Sequence, residues 1–508
     1  MARQRPVGGD MDKMTFRALL GGGDMMLFDR LWADPATGPD GQTVIWAGSS
    51  ATGGLRQMVM DDSLTLTVRS ESWLTDHVYR FSQLATAETA SGEVLILPEA
   101  MSGRLTLLRP DQSGALLPPV EIRDDAGDPV ALSVLAALPA ERHPGLLIGA
   151  PASGPGLALY RLEDGADRAT LLDRAEETAK TTLKGVSDIV ALSVGGTQFI
   201  AVSSAAEDGL SSYAIEDGET LDLRDTLGPK DGLWIDGLND IAAVTAGEAQ
   251  YIVGVSGQSG TLTSVRINPV GALFLEDIEY DDRNTRFAGA VSLDVFSIAD
   301  RGFVVTGGTD GGLSLFEVLP DGQLWHHQSI GQSADWDIGD ILDISVAVTG
   351  DTLHIVLAGS HAGAIAQLVL PLSNLGMSMR GGPGDDTLTG TSLDDMLIGG
   401  DGNDVLFGSD GEDTLIAGTG QDSLTGGAGA DVFVFRADGQ PDTITDFQPG
   451  IDRIDLGGWG MVYDLSALTL TRQDWGATIA WRDELLHIHS ADGNPIETDS
   501  WGADDILF

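Results

Sequence analysis

Between Gly381 and Phe433 the chain places an aspartate at every ninth position and contains no lysine or arginine. Asp386, Asp395, Asp404, Asp413, Asp422 and Asp431 hold the sixth place of six units that begin at residues 381, 390, 399, 408, 417 and 426. The eighth place is always large and apolar: Leu388, Leu397, Leu406, Leu415, Leu424 and Phe433. Glycines recur at the second and fourth places, as Gly382, Gly384, Gly400, Gly402, Gly411, Gly420 and Gly429. Carboxylates at fixed spacing with no counter-charge in the chain are oxygen ligands for a hard cation, and Ca²⁺ is the natural one. A plain acidic linker has no reason to keep Asp and Leu in phase through six units.

The element that positions them follows from the period. Nine residues read as a six-residue turn and a three-residue strand with its eighth-place side chain inward, two units completing one coil of a parallel β-roll. Stacked strands lie ~4.8 Å apart, about twice a ~2.4 Å Ca–O bond. Asp386, Asp404 and Asp422 are therefore expected along one edge, and Asp395, Asp413 and Asp431 along the other. Glycines at the first, second and fourth places are expected to take left-handed angles and turn carbonyls toward the ion. In the second unit Thr391, Ser392 and Leu393 replace the usual residues, so the first site on the Asp395 edge is expected to be weak or missing. Ala417 opens the fifth unit. Stacked carboxylates repel without metal, so binding and folding should be one event.

This pattern resembles the RTX (hemolysin-type) calcium-binding nonapeptide of type I secretion substrates. The stretch "DTITDFQPGIDRIDLGGW" from Asp442 is similar to the segment behind the repeats of serralysin-like exoproteins, with Asp442, Asp446, Asp452 and Asp455 at its acidic positions. The resemblance implies an extracellular protein, exported unfolded by the type I secretion machinery and folded outside by calcium. The terminal "WGADDILF" then matches an uncleaved export signal. The start "MARQRPVGGDMDKMTFRALLGGG" shows no secretory signal, which read alone would place the chain in the cytoplasm. The resemblance stops short of protease chemistry, since no H-E-x-x-H occurs.

Upstream the period changes to about 52 residues. Seven anchors recur, from "TVIWAGSSATGGLRQMVM" at Thr43 to "DTLHIVLAGSHAGAIAQLVL" at Asp351, most flanked by further apolar runs such as "SDIVALSV", "NDIAAVTA" and "GDILDISV". Four short strands per unit is the size of one propeller blade. The fold class is therefore all-β: a seven-bladed propeller over 1–375, a parallel β-roll over 376–435 and a C-terminal β cap over 436–508. A stack of β-sandwiches would not need the equal spacing. "MTFRALL" from Met14 is placed to supply the strand that closes the ring. The blade pattern broadly resembles lactonase-type propellers.

A formal charge of −49 disfavours nucleic acid and anionic membrane as partners. Without cysteine, disulfides, thiolate metal sites and a Cys nucleophile are excluded. No stretch reaches the ~18 apolar residues of a membrane helix. The inter-blade loops offer Trp234, Asp236, Asn239 and Asp240; Asp281, Asp282, Arg283, Asn284 and Arg286; and Asp335, Trp336 and Asp337. Arg283 and Arg286 suit a carboxylate or phosphate and Trp336 a sugar ring, although a solvated turn for the arginines and packing for the tryptophan are the commoner roles. His326, His327, His354 and His361 are expected in structural places. Two classes remain: a secreted protein whose propeller presents a ligand-binding or adhesion surface, for instance to a glycan, and a secreted hydrolase of lactonase or phosphoesterase type. No catalytic residue is identified.

Overall fold

The computed structural model describes residues 13–20, 30–34, 44–49, 54–60, 65–73, 81–89, 92–111, 115–139, 144–163, 167–178, 180–361, 364–460, 462, 465–498, 501–502 and 505–507. It is all-β. Seven four-stranded antiparallel sheets form the blades of a propeller. Blades one to six span residues 30–73, 85–121, 132–175, 186–227, 240–280 and 292–331. Blade seven takes three strands from 341–371 and its outermost strand, Thr15–Leu20, from the other end of the chain. That strand pairs antiparallel with Ile365–Pro371, Thr15 opposite Val369, so "MTFRALL" closes the ring as its position suggested.

Burial explains the two kinds of apolar run. In blade four the second strand, Thr197–Ser204, is buried on both faces by the neighbouring blades, whereas the outermost strand, Thr220–Leu227, alternates. Seven apolar clusters fill the seven interfaces between blades. Each fully buried Leu, Ile or Phe in them contributes roughly 1.5–3 kcal/mol.

Carboxylates fasten the blades as well. On the innermost strands Asp188 Oδ2 accepts the Ile241 N–H of the next blade at 3.0 Å, Asp240 that of Leu293 at 2.9 Å, Asp294 that of Val346 at 2.8 Å and Asp343 that of Leu31 at 2.8 Å. A second belt runs around the outermost strands. There Asp173, Asp225 and Asp277 accept from Leu221, Leu273 and Leu324, and Gln328 Oε1 accepts the Met14 N–H at 3.0 Å beside the closing strand.

Behind the propeller the chain winds into a solenoid of two parallel sheets. One holds Leu375–Arg380, Asp394–Asp401, Thr414–Thr419, Val432–Arg436, Arg453–Gly458 and Ile506–Leu507; the other begins Thr387–Thr389, Val405–Asp410, Ser423–Ala428, Pro441–Phe447. Units two apart pair in register, Leu388 with Leu406 and Leu397 with Leu415. The eighth-place side chains form the interior with Phe447, Ile454 and Trp501. Strands run longer than the three residues expected, for example Val405–Asp410 and Thr414–Thr419, because the first residues of the next unit stay extended and paired. Parallel winding also continues past residue 435, and the second sheet takes Glu484–Ser490 as a further parallel strand before turning back antiparallel.

The two outer faces differ. On the first sheet Met396, Ile398, Ile416, Val432 and Val434 point outward at the seventh and ninth places and are buried against Leu319 and Trp325 of blade six. On the second, Thr387, Thr389 and Phe407 occupy equivalent places and are exposed.

Candidate calcium ladders and the propeller channel

Each ladder is built by the nine-residue step. The Asp386 N–H donates to Asp404 Oδ1 at 2.8 Å, Asp404 N–H to Asp422 Oδ1 at 2.8 Å, and Asp422 N–H to Asp442 Oδ1 at 2.9 Å. On the other edge Asp395 donates to Asp413 at 2.9 Å, Asp413 to Asp431 at 3.0 Å and Asp431 to Asp452 at 3.1 Å. All six repeat aspartates thus stand in the two predicted columns, and Asp442 and Asp452 extend them beyond the nonapeptides. Asp446 accepts from the N–H groups of Gly426 and Gly427, and Asp455 from that of Gly457.

The second oxygens carry the chemistry. Oδ2 of Asp404, Asp413, Asp422 and Asp431 is buried and has no hydrogen-bond donor. An orphaned buried carboxylate oxygen is costly unless a cation or proton meets it. Burial, opposed by the backbone N–H bonds and reinforced by neighbouring aspartates, lifts Asp413 and Asp422 to about 7 and Asp431 to about 8, and raises Asp404. The protein alone therefore makes these groups harder to keep charged than they are in water. Hard oxygen donors, stacked and short of positive charge, fit Ca²⁺. Asp386 and Asp395, at the start of each column, are the exceptions: Oδ2 of Asp386 accepts the Gly382 N–H at 2.7 Å, and Asp395 is the more fully satisfied. The Asp395 oxygens are met by the Met377 N–H and by the N–H and hydroxyl of Thr391, so the irregular second unit satisfies from within the chain what Asp404, Asp413, Asp422 and Asp431 leave open.

Glycine does two jobs in the turns, and the first place departs from expectation. Positive φ occurs at the second and fourth places, as at Gly400 (110°), Gly402 (128°), Gly411 (122°), Gly420 (127°) and Gly429 (150°). At the first place the constraint is space: a Cβ on Gly408 would lie 2.2 Å from Asp413 Oδ2, and one on Gly426 2.1 Å from Asp431 Oδ2. Ser409 takes φ of 96° without being glycine.

The second candidate is the propeller channel, a cavity of about 880 Å³. Asp188, Asp240, Asp294 and Asp343 stand on its wall with Ser187, Asn239 and Ser345. Burial raises all of the first three, Asp294 to about 7 and Asp240 well above the carboxylate range, where the charge of Asp188 adds to the effect. The Asp188 and Asp240 carboxyls stand on the same wall, and each bears on the titration of the other. Each accepts an inter-blade N–H, from Ile241 and Leu293. No cluster of three or more His, Cys, Asp or Glu fit to hold a metal occurs among the described residues, so in the ladders turn carbonyls would have to complete a calcium site.

Of the loop residues singled out from sequence, Asn239 and Asp240 reach this wall. Asp281 and Asp282 bind Thr285 and the turn backbone, and Arg286 donates to the carbonyls of Arg283 and Thr285. Asn284 N–H donates to Asp282 in that same turn. Trp336 is core, 2% exposed, so it stacks no sugar. Trp234 is 74% exposed, with Asp236 also at the surface. His326, His327 and His354 are buried, and His361 pairs with Asp337 at 3.3 Å on the surface while Asp335 donates its N–H to Ser333. Asp188, Asp294 and Asp343 were missed. Their signal was an Asp near the head of the apolar run that opens blades four to seven.

No curated protein sequence matches the chain. Among solved structures, a protein from Lactobacillus plantarum is 17% identical, with a TM-score of 0.43 over 63% of this chain and 94% of its own. One from Bacteroides uniformis, described provisionally as a 6-phosphogluconolactonase, is 13% identical, with a TM-score of 0.45 over 60% and 85%. Residues 380–415 and 407–438 match the family model of the RTX calcium-binding nonapeptide repeat. The solenoid behind the seven-bladed propeller is therefore an array of RTX calcium-binding repeats.

Proposed function

We propose that this is an extracellular calcium-binding protein, exported by a type I secretion system, in which Ca²⁺ folds the solenoid and the propeller presents a ligand-binding or adhesion surface. The observation that carries the reading is the set of orphaned Oδ2 atoms on Asp404, Asp413, Asp422 and Asp431. Asp386, Asp404 and Asp422 with the glycine turns at 382, 384, 400, 402 and 420 would hold ions on one edge; Asp413 and Asp431 with Gly411 and Gly429 would do so on the other, Asp395 contributing least. Bound calcium supplies the positive charge that lets the stacked carboxylates stay ionised. Titration calorimetry is expected to show about four ions per chain. Circular dichroism is expected to lose β signal in excess EGTA; an unchanged spectrum with no calcium uptake would sink the reading.

For the propeller, the channel wall of Ser, Asn and Asp offers donors and acceptors suited to a polyhydroxylated ligand such as a glycan. A hydrolase of lactonase or phosphoesterase type is the second reading, favoured by the four carboxyls Asp188, Asp240, Asp294 and Asp343 on one channel wall. A screen of calcium-loaded protein on lactones and phosphoesters decides: turnover that disappears in the Asp240→Asn variant would establish the hydrolase.

A further inference from the structure

Blade six and the solenoid meet around one buried cation. Arg301 opens the second strand of the blade and is 3% exposed. Its Nε and Nη2 donate to the two oxygens of Glu317 at 2.9 and 2.6 Å. Glu317 is wholly buried and also meets His327 Nε2 at 2.8 Å. Burial would raise this carboxyl, but Arg301 and His327 outweigh it and bring it down to about 2. The remaining arm of the guanidinium leaves the propeller: Nη1 donates to the carbonyl of Asp394 at 3.0 Å and reaches that of Gly376 at 3.4 Å.

Those two carbonyls flank Asp395, the rung that the chain itself satisfies, one step from the orphaned Asp413. Asp395 follows Asp394 directly, its Oδ1 accepts the N–H of Met377, and a Cβ on Gly376 would lie 2.1 Å from that same oxygen. The Asp395 N–H in turn holds Asp413, whose Oδ2 is one of the orphans. Around this point Leu319 and Trp325 cover the outward Met396, Ile398, Ile416, Val432 and Val434, and Arg380 pairs with Asp321 at 2.6 Å. The same blade contributes Ser292, Leu293 and Asp294 to the channel wall.

We propose that the calcium-loaded solenoid is a clamp on blade six, with Arg301 as the positioning residue that links the Asp395 edge to the propeller. The proposal rests on calcium binding by the solenoid. When the first coil unfolds, Arg301 loses two acceptors, Leu319 and Trp325 lose their cover, and the Arg301–Glu317 pair opens to water. Blade six then loses stability, and with it one wall of the channel. Linkage makes the effect reciprocal: whatever holds blade six in place tightens calcium.

Hydrogen exchange on the full chain, with saturating calcium and with excess EGTA, tests this without any substitution. Chelation is expected to speed exchange over residues 292–331 at least about 10-fold along with residues 394–436, while residues 186–227 of blade four stay protected. An Arg301→Lys variant keeps a cation on Glu317 but lacks the forked reach to Asp394. It is expected to bind calcium about 5-fold more weakly, at the low end of ordinary coupling, and to show a reduced blade-six response. If the solenoid loses protection and blade six does not, the clamp is refuted. If neither region responds, calcium binding itself fails and the clamp falls with it. A variant that keeps both wild-type affinity and the full blade-six response overturns the role of Arg301.

Discussion

Propeller and solenoid use one device, an aspartate that reaches across to the backbone N–H of a neighbouring repeat, and they complete it differently. In the propeller both carboxylate oxygens are supplied by the chain. Asp294 takes Val295 N–H on Oδ1 and Val346 N–H on Oδ2; Asp343 takes Ile344 and Leu31. In the solenoid Asp404, Asp413, Asp422 and Asp431 take one N–H on Oδ1, and Oδ2 meets nothing from the protein. The wide blade repeat has room for a second donor, whereas a coil of two nine-residue turns brings carboxylates together faster than it brings N–H groups. A repeat that supplies all its donors is expected to stand alone; one that supplies half is expected to depend on the medium.

The largest test of that contrast is metal removal. EGTA is expected to abolish amide protection throughout residues 394–436 while blades one to five keep theirs, measured by exchange on the intact chain. Equal loss in both regions would erase the distinction. Matched substitutions come next. Asp422→Ala is expected to weaken calcium binding at least about 10-fold by calorimetry, the scale on which even supporting groups of a metal site act. Asp188→Ala is expected to leave calcium affinity unchanged and to cost the propeller about 1–3 kcal/mol in denaturant unfolding, because a buried N–H loses its acceptor.

The pH dependence sharpens the comparison further. Burial puts Asp294 at about 7 in the folded protein against an ordinary 3.8. The folded state holds that proton more firmly, so its stabilising contribution is complete below about pH 4 and is lost as pH rises through about 7. At saturating calcium the Tm of the propeller is expected to fall between pH 5 and 8, and Asp294→Asn to flatten the slope. The smallest effect is expected at Ser409, whose φ of 96° suits glycine. Ser409→Gly should stabilise the calcium-loaded solenoid by about 1 kcal/mol on thermal unfolding.

Much of this was legible because repeats repeat. The nine-residue phase of Asp and Leu fixes the columns of the solenoid, and the 52-residue phase gives the blades, with "MTFRALL" standing where a ring needs its last strand. The channel wall was hidden for a physical reason. Asp188, Asp294 and Asp343 sit inside apolar runs whose burial hides a lone carboxylate, and their partners are backbone groups that no sequence displays; Asp240 was reached only as a member of a loop. The docking face was readable in principle. In the second, fourth and sixth units the outward places carry Met396, Ile398, Ile416, Val432 and Val434, where the first and fifth carry Thr387, Thr389, Ser423 and Thr425. Reading six units as equivalent averaged that difference away.

The pairing of Thr15–Leu20 with Ile365–Pro371 has a consequence for assembly. Thr15–Leu20 gains its partner only when a strand from the far side of the propeller sequence is in place, and contacts so distant along the chain form slowly. Until they form, blade seven has a bare edge and the circle is an open arc. Trimming the front of this chain should therefore damage its middle, and a copy deprived of residues 15–20 would leave a gap that the same segment of another copy is shaped to fill.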